Sequence, residues 1–152
     1  MKAEQIPVAL GSDHAGVAMK AMLKEALEAA GHPTLDMGTN GTESVDYPDF
    51  AAAVAEAVTS GRARFGVLAC GTGIGISIAA NRNPGIRCAL VHDVTGARLC
   101  REHNDANVLA LGARIVANTL AEEIVTLWLT TGFAGGRHQR RIDQIREAEE
   151  ER

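Results

Sequence analysis

Short apolar runs alternate along the chain with longer segments in which apolar residues recur every three or four positions. The short runs have four or five residues without polar alternation and occupy residues 6–10, 34–37, 65–69, 87–91 and 108–111. The longer segments follow them at residues 15–30, 48–59, 75–81, 95–103 and 118–131. Strands without polar alternation are typically buried on both faces, and right-handed crossovers through helices make them parallel. The pattern predicts an α/β fold with a doubly wound, five-stranded parallel sheet between two helical layers.

Glycine and proline mark the boundaries of these elements. Gly31 follows the first predicted helix where a terminating glycine belongs, and Pro48 with Asp49 opens the second as a first-turn proline beside an acidic residue. Only residues 132–136 resemble a joint, and a separate helix over residues 138–150 follows them. We therefore expect a single Rossmann-like, three-layer domain over residues 1–152, in which residues 136–152 form a helical tail.

The tail helix has two unlike faces when its residues are placed at 3.6 per turn. One face is fully charged and bears Arg140, Asp143, Glu147 and Glu150. The other face carries two arginines beside two apolar residues: Arg137, Arg141, Ile145 and Ala148. We expect the second face to dock and to bring two guanidinium groups toward an anion. Salt bridges to local carboxylates are the alternative explanation of these arginines.

Charge, apolar length and cysteine spacing exclude several classes of protein. The 15 Lys and Arg residues against 19 Asp and Glu give a net charge of −4, which argues against a general attraction to nucleic acid or anionic lipid. No apolar run approaches the length needed to cross a bilayer, and the first residues lack a signal-peptide pattern, so we expect a cytoplasmic protein. Three cysteines without CxxC spacing predict free thiols rather than a disulfide framework or a zinc site.

Candidate functional residues cluster near the predicted strand ends. In open parallel sheets the ligand lies beyond the carboxyl ends of the strands. Residues 11–16, 70–75 and 92–93 follow the first, third and fourth predicted strands, and residues 103–105 come shortly before the fifth. We expect these segments to supply acids, bases and backbone donors to one site. His14 and His103, each beside a second polar residue, are acid–base candidates, whereas structural roles suffice for His32, His92 and His138.

The strongest local signal is the glycine-rich segment Cys70-Gly71-Thr72-Gly73-Ile74-Gly75-Ile76-Ser77. Alternating glycines leave backbone N–H groups unobstructed at a helix N-terminus, which predicts a loop that binds an oxyanion or a phosphate. A dinucleotide-binding turn is the competing reading, but Ile76 stands where its third glycine should be, and the segment follows the third strand instead of the first.

The three cysteines are expected to differ in reactivity. Cys70 ends a strand at the mouth of the glycine-rich segment, where helix-terminal amides lower the pKa of a thiol and favour a nucleophile or a proton-abstracting base. Cys88 and Cys100 lie within apolar patterns and are expected to be inert core thiols.

Five segments in the same order resemble the type B ribose-5-phosphate isomerase family. They are Asp13-His14-Ala15-Gly16, Asp46-Tyr47-Pro48, residues 70–81, residues 101–107 and residues 136–141. The resemblance runs from about residue 6 to residue 146. It implies aldose–ketose isomerisation of ribose 5-phosphate to ribulose 5-phosphate in the pentose phosphate pathway. The reaction proceeds by ring opening, loss of the C2 proton and a cis-enediolate, without a metal or organic cofactor.

The same resemblance assigns roles to residues of this chain. Cys70 would be the C2 base, Thr72 would steady the thiol and substrate oxygens, and His103 would open the sugar ring with help from Asp13. The enediolate oxygen would be held by the backbone amides of Gly71, Thr72, Gly73, Ile74, Gly75 and Ile76. Tyr47 and Asn104 would line the sugar site, and the phosphate would be bound by His14, Arg114, Arg137 and Arg141. Arg137 and Arg141 would reach across the interface of a homodimer, with a dimer of dimers as a further state.

Several alternatives remain open at the level of sequence. One branch of the family has a glutamate base at the position of Ile76, and the combination of Cys70 with Ile76 places this chain in the cysteine branch. Other members of the family act on allose 6-phosphate, galactose 6-phosphate or tetrulose phosphates. A module of a different class would hold a phosphate or nucleotide on residues 71–75 and the tail arginines without catalysis, and it would have no use for a reactive thiol.

Overall fold

The computed structural model describes residues 5–151 and contains one five-stranded parallel sheet. Its strands are β1 (Val8–Ser12), β2 (Thr34–Asp36), β3 (Phe65–Cys70), β4 (Cys88–Leu90) and β5 (Val108–Gly112), in the spatial order β2-β1-β3-β5-β4. The helices are α1 (Val17–Ala29), α2 (Tyr47–Thr59), α3 (Ile74–Ala80), α4 (Val94–Asn104), α5 (Asn118–Thr130) and α6 (Arg137–Glu150), and a short 3₁₀ turn spans His14–Gly16. The predicted doubly wound sheet is confirmed.

Two apolar layers cover the two faces of the sheet. On one face, helices α1, α4 and α5 pack a cluster that includes Leu23, Cys100 and Trp128. On the other face, α2 and α3 pack a cluster that includes Val54, Ile76 and Cys70. The central strands β1, β3 and β5 are buried on both faces, which is the reason their sequences lack polar alternation.

The predicted punctuation is largely confirmed, with one shift. Gly31 has φ +91° and ends α1, where its N–H bonds the Glu28 carbonyl and the N–H of His32 bonds that of Leu27. Helix α2 begins one residue earlier than predicted, because Tyr47 is its first residue and Asp46 its N-cap. Pro48 is therefore the second helical residue, where its missing N–H still costs no intrahelical hydrogen bond.

The tail helix α6 packs on its own domain. Ile142 is 3% exposed, whereas Ile145 on the face predicted to dock is 50% exposed. The N–H of Ala134, in the joint before α6, donates to the Glu102 carbonyl at 3.0 Å and ties the joint to α4. The first half of α6 therefore lies against its own domain. Contact between the Ile145 face and a partner subunit stays a prediction.

Candidate functional site

Cys70 lies at the carboxyl end of β3 and is 4% exposed. The backbone N–H of Gly73 donates to its Sγ at 3.2 Å. Gly73 is the N-cap of α3, and its backbone has the left-handed conformation with φ +77°. A Cβ at Gly73 would lie 2.6 Å from Leu90 Cδ1 and 2.8 Å from the Leu111 carbonyl carbon. Only glycine fits there, and its amide is the kind of donor that stabilises negative charge on sulfur.

Thr72 and the first turn of α3 complete the loop around the thiol. The Thr72 hydroxyl oxygen accepts the N–H of Ile74 at 3.2 Å, which fixes the hydroxyl beside the loop. The first N–H groups of a helix have no intrahelical partner, so this turn presents donors toward the loop. The loop therefore combines a sulfur, a hydroxyl and backbone donors in a small space.

Asp13 and His14 follow β1, the strand adjacent to β3. Ser12 is in register with Ala69, and the Asp13 N–H donates to the Ala69 carbonyl at 3.3 Å, so Asp13 lies at the same sheet edge as Cys70. One oxygen of the Asp13 carboxylate, Oδ1, accepts hydrogen bonds from the N–H groups of Ala15 and Gly16 at 3.0 and 3.2 Å. His14 Nδ1 accepts a hydrogen bond from the Val45 N–H at 3.2 Å. In the neutral ring the proton therefore lies on Nε2, which can donate.

Tyr47 and Arg114 flank the glycine loop. A Cβ built on Gly75 would lie 2.7 Å from the Tyr47 hydroxyl, so the phenol rests directly against the backbone of the loop. A Cβ on Gly71 would lie 3.2 Å from Arg114 Nη1, and the Arg114 N–H donates to the Gly71 carbonyl at 2.9 Å. The structure thus brings one group of predicted site residues together at the carboxyl edge, named here the thiol half-site: Asp13, His14, Tyr47, Cys70, Gly71, Thr72, Gly73, Ile74, Gly75, Ile76 and Arg114.

His103 and Asn104 lie at the opposite edge of the sheet, which corrects the expectation that residues 103–105 join the carboxyl-edge segments. They end α4, and the chain then enters β5 at its amino end. Strand β5 has five residues, and its four steps of about 3.3 Å each place the two edges about 13 Å apart. A residue that precedes a strand lies at the amino edge of a parallel sheet, and a residue that follows a strand lies at the carboxyl edge.

Arg137 and Arg141 are exposed on α6, whose first turn adjoins the end of α4. They form a second group with His103 and Asn104, named here the arginine half-site. Within one chain the two half-sites do not meet.

Arg101 anchors the arginine half-site to the sheet. Its Nε donates to the Thr131 carbonyl at 3.2 Å, and its Nη1 donates to Asp105 Oδ1 and the Ala106 carbonyl at 2.8 and 2.9 Å. The guanidinium also lies 5.1 Å from the ring centroid of Phe65, the first residue of β3. The last turn of α4 is therefore held rigidly against the strand whose other end carries Cys70.

His138 is the residue that sequence reasoning missed. Its imidazole stacks on that of His103, with centroids 4.3 Å apart and planes at 15°. Burial lowers the pKa of His138, and the charges of His103, Arg137 and Arg141 lower it further, while Glu102 opposes them. The only signal in the sequence was its position directly after Arg137, which does not predict a contact with a helix that ends 34 residues before His138.

Three other polar residues near the strand ends have different surroundings. The Ser77 hydroxyl donates to the Ile74 carbonyl at 2.7 Å, and Asp93 caps α4 by accepting the Gly96 N–H at 2.5 Å, so both have local structural partners. His92 Nε2 is buried and has no hydrogen-bond partner within residues 5–151.

The other two thiols are poor bases at neutral pH. Burial raises the pKa of Cys88 to about 12, with a contribution from Cys100, and burial raises the pKa of Cys100 to about 11. The expectation that both are inert agrees with these values. Cys70 is the thiol that accepts a backbone N–H.

An apolar surface adjoins the thiol half-site. Ile74 and Ile78 are one helical turn apart on α3 and are 51% and 55% exposed, respectively.

Among residues 5–151, no three His, Cys, Asp or Glu side chains are grouped closely enough to hold a metal ion. Over the same residues, no helix has the length and apolar character that crossing a membrane would need.

Comparison with known proteins matches this arrangement to one family. The family model described as Ribose/Galactose Isomerase matches residues 8–145. Ribose-5-phosphate isomerase B of Escherichia coli is 45% identical over 145 residues, covering 95% of this chain and 97% of that protein. A D-erythrulose-4-phosphate isomerase of Pectobacterium atrosepticum is 38% identical over 141 residues, covering 92% and 93%. The structure of Clostridium thermocellum ribose-5-phosphate isomerase B superposes with a TM-score of 0.95 at 51% identity, covering 95% and 98%. The chain belongs to the ribose/galactose isomerase family.

Proposed function

We propose that this protein is an aldose–ketose isomerase that interconverts ribose 5-phosphate and ribulose 5-phosphate. The observation that carries the proposal is the position of Cys70, whose sulfur accepts the Gly73 N–H beside a loop of backbone donors. Abstraction of a carbon-bound proton needs a positioned base and stabilisation of the oxyanion that forms, and this loop offers both. A small phosphorylated sugar as substrate and the free thiols of the chain both fit a cytoplasmic reaction.

The proton-transfer step uses the thiol half-site. The Cys70 thiolate takes the C2 proton of the open-chain aldose, and the electron pair of the C2–H bond forms a C1–C2 double bond with negative charge on O1. Backbone amides of the loop and the Thr72 hydroxyl stabilise this enediolate. The thiol then returns the proton to C1, while the O2 hydroxyl proton passes to O1 and leaves a ketone at C2. Atoms and charge balance without an added oxidant or reductant.

Ring opening brings in the arginine half-site. The C1–O4 bond breaks, its electron pair stays on O4, and O4 takes a proton from protonated His103 as the O1 hydroxyl proton passes to the Asp13 carboxylate. His103 and Asp13 lie at opposite edges of the same sheet, so a site that holds both must be built from two chains. We therefore propose a homodimer in which the thiol half-site of one subunit faces the arginine half-site of the other.

The phosphate and the apolar surface fit the same arrangement. His14 and Arg114 in the thiol half-site, with Arg137 and Arg141 from the second subunit, would surround a phosphate dianion with donors. Ile74 and Ile78 lie directly after the loop and are exposed in the single chain, so a subunit seated over the thiol half-site would bury them.

Relatives of this chain are named for different sugar phosphates. A relative that is named for D-erythrulose 4-phosphate shares 38% identity with this chain, so a tetrulose phosphate is the alternative with an observation behind it. The same proton transfer would serve both sugars, because the carbons that exchange the proton are C1 and C2 in each case.

A coupled assay with purified protein tests the function and the sugar together. We expect turnover of ribose 5-phosphate to exceed that of allose 6-phosphate, galactose 6-phosphate and D-erythrulose 4-phosphate. We expect the rate to survive exhaustive chelation, because the mechanism uses only side chains and backbone amides. Absence of turnover with all four sugars would refute the isomerase, and a rate that disappears in chelator and returns with one divalent metal would refute the mechanism.

A Gly75→Ala substitution tests the contact between Tyr47 and the loop. The added methyl group would overlap the far end of the Tyr47 side chain, which can swing away, and alanine favours the helix by up to about 1 kcal/mol. We expect an unchanged or slightly higher melting temperature with a KM raised about tenfold, since the sugar loses a packed aromatic neighbour. Gly132→Ala is the matched control, because a Cβ there meets no atom within 4 Å. Equal KM values for the two variants would contradict a role of Tyr47 in the sugar site.

A further inference from the structure

The stacked imidazoles of His103 and His138 come from two different helices. His103 is in the last turn of α4, and His138 is the second residue of α6. The ring planes are nearly parallel at 15°, and the centroids are 4.3 Å apart, which is an offset stack in contact. The hydrogen bond from the Ala134 N–H to the Glu102 carbonyl holds the two helix ends together. The stack is thus supported from both sides and does not result from one flexible side chain.

Charged groups from both helices surround the stack. His103 and Glu102 from α4, and Arg137 and Arg141 from α6, are the titratable or charged groups that act on His138. Burial and the three basic groups lower its pKa, and Glu102 alone opposes them. His138 is therefore neutral at neutral pH, and its π face is open to a neighbouring cation. His138 can therefore serve His103 as a neutral stacking partner.

We propose that His138 is a positioning residue that holds the imidazole plane of His103 so that its proton points at the ring oxygen of the sugar. The inference rests on the proposed function, because it assigns His103 to ring opening. The contact that the structure shows for the His138 ring is with His103, so its influence is assigned to the step that His103 performs. It adds no chemistry of its own, and the proton balance of ring opening is unchanged.

Ribulose 5-phosphate separates this step from the others. Its C5 oxygen carries the phosphate and cannot close a ring on C2, so the ketose is acyclic. Cys70 can exchange a C1 proton of this sugar with solvent without any ring opening. Net isomerisation of ribose 5-phosphate needs ring opening as well, and the two rates report on different half-sites.

The experiment compares His138→Ala, His138→Phe and, as matched control, His32→Ala. We expect His138→Ala to lower kcat for ribose 5-phosphate about tenfold and to keep deuterium wash-in at C1 of ribulose 5-phosphate within about twofold of wild type. His138→Phe restores a flat ring and is expected to recover most of the loss, and His32→Ala is expected to match wild type. In a His103→Ala background, His138→Ala should cause no further loss.

Several outcomes would overturn the inference. They are full activity of His138→Ala, a parallel loss of wash-in and net turnover, or a phenylalanine variant as slow as the alanine variant. A wild-type protein with neither wash-in nor net turnover would instead refute the proposed function. The stack can be tested even then by NMR, where the His138 Hε1 resonance should titrate with a pKa below the usual value of a histidine, and the His103 resonance should move in His138→Ala. Unchanged His103 shifts would refute the stack.

Discussion

Replacement of Cys70 by alanine is expected to lower kcat at least about a hundredfold and to leave KM nearly unchanged. The thiol is buried at the end of β3, and in the proposed mechanism it acts on the C2 proton, an interaction that gains strength mainly in the transition state. Substrate binding relies on the phosphate and the sugar hydroxyls, which other residues contact. Steady-state kinetics with ribose 5-phosphate measures both constants.

Cys88→Ala and Cys100→Ala are the matched controls for this substitution. Both thiols have raised pKa values, about 12 and about 11, so neither supplies a thiolate at neutral pH. We expect both variants to retain near wild-type kcat, with at most a modest loss of stability from the removed sulfur. Normal turnover by Cys70→Ala together with an inactive Cys88 or Cys100 variant would show that another thiol is the base.

Two inactive variants are expected to restore activity when their subunits are mixed. One is Cys70→Ala, which lacks the base, and the other is the double variant Arg137→Ala/Arg141→Ala, which lacks two phosphate ligands at the other edge of the sheet. In a heterodimer with shared sites, one site lacks both functions and the other lacks neither. Activity should therefore return to about half of wild type per heterodimer, because distant sites act independently.

The mixing experiment needs proof that subunits have exchanged, for which two distinguishable affinity tags suffice. Arg140→Ala, on the charged face of the same helix, should remain active and shows that loss of an arginine from α6 is not harmful in itself. An isolated, tag-verified heterodimer without activity would show that each chain completes its own site. That result would refute the shared site and leave the isomerase standing.

The sequence predicted the fold because burial on both faces leaves a strong periodic signature. Apart from Ser12 at the end of β1, strands β1, β3 and β5 have no polar position, and their order of appearance with intervening helices restricts the topology to few choices. The thiol half-site was also predictable, since Asp13 and Cys70 directly follow neighbouring parallel strands.

The position of the arginine half-site was less accessible to sequence reasoning. His103 was grouped with the carboxyl-edge residues because it is close to β5 in the sequence, but the direction of that strand places it at the amino edge. The stack of His138 on His103 depends on the orientation of α6 against α4, which local patterns do not encode. Helical periodicity predicted which residues share a face of α6, but it does not determine which helix or strand each face contacts.

The separation of Cys70 from Arg137 and Arg141 by the full height of the sheet has a consequence for substrate length. In a shared site, the base and the phosphate ligands on α6 belong to different subunits, so the number of carbons that fits between them depends on how the subunits are seated on each other. The exposed side chains of Ile74 and Ile78, which would lie in the contact between subunits, then influence whether a four-, five- or six-carbon substrate is accepted. Selectivity among sugar phosphates could change by repacking between subunits while every catalytic side chain stays the same.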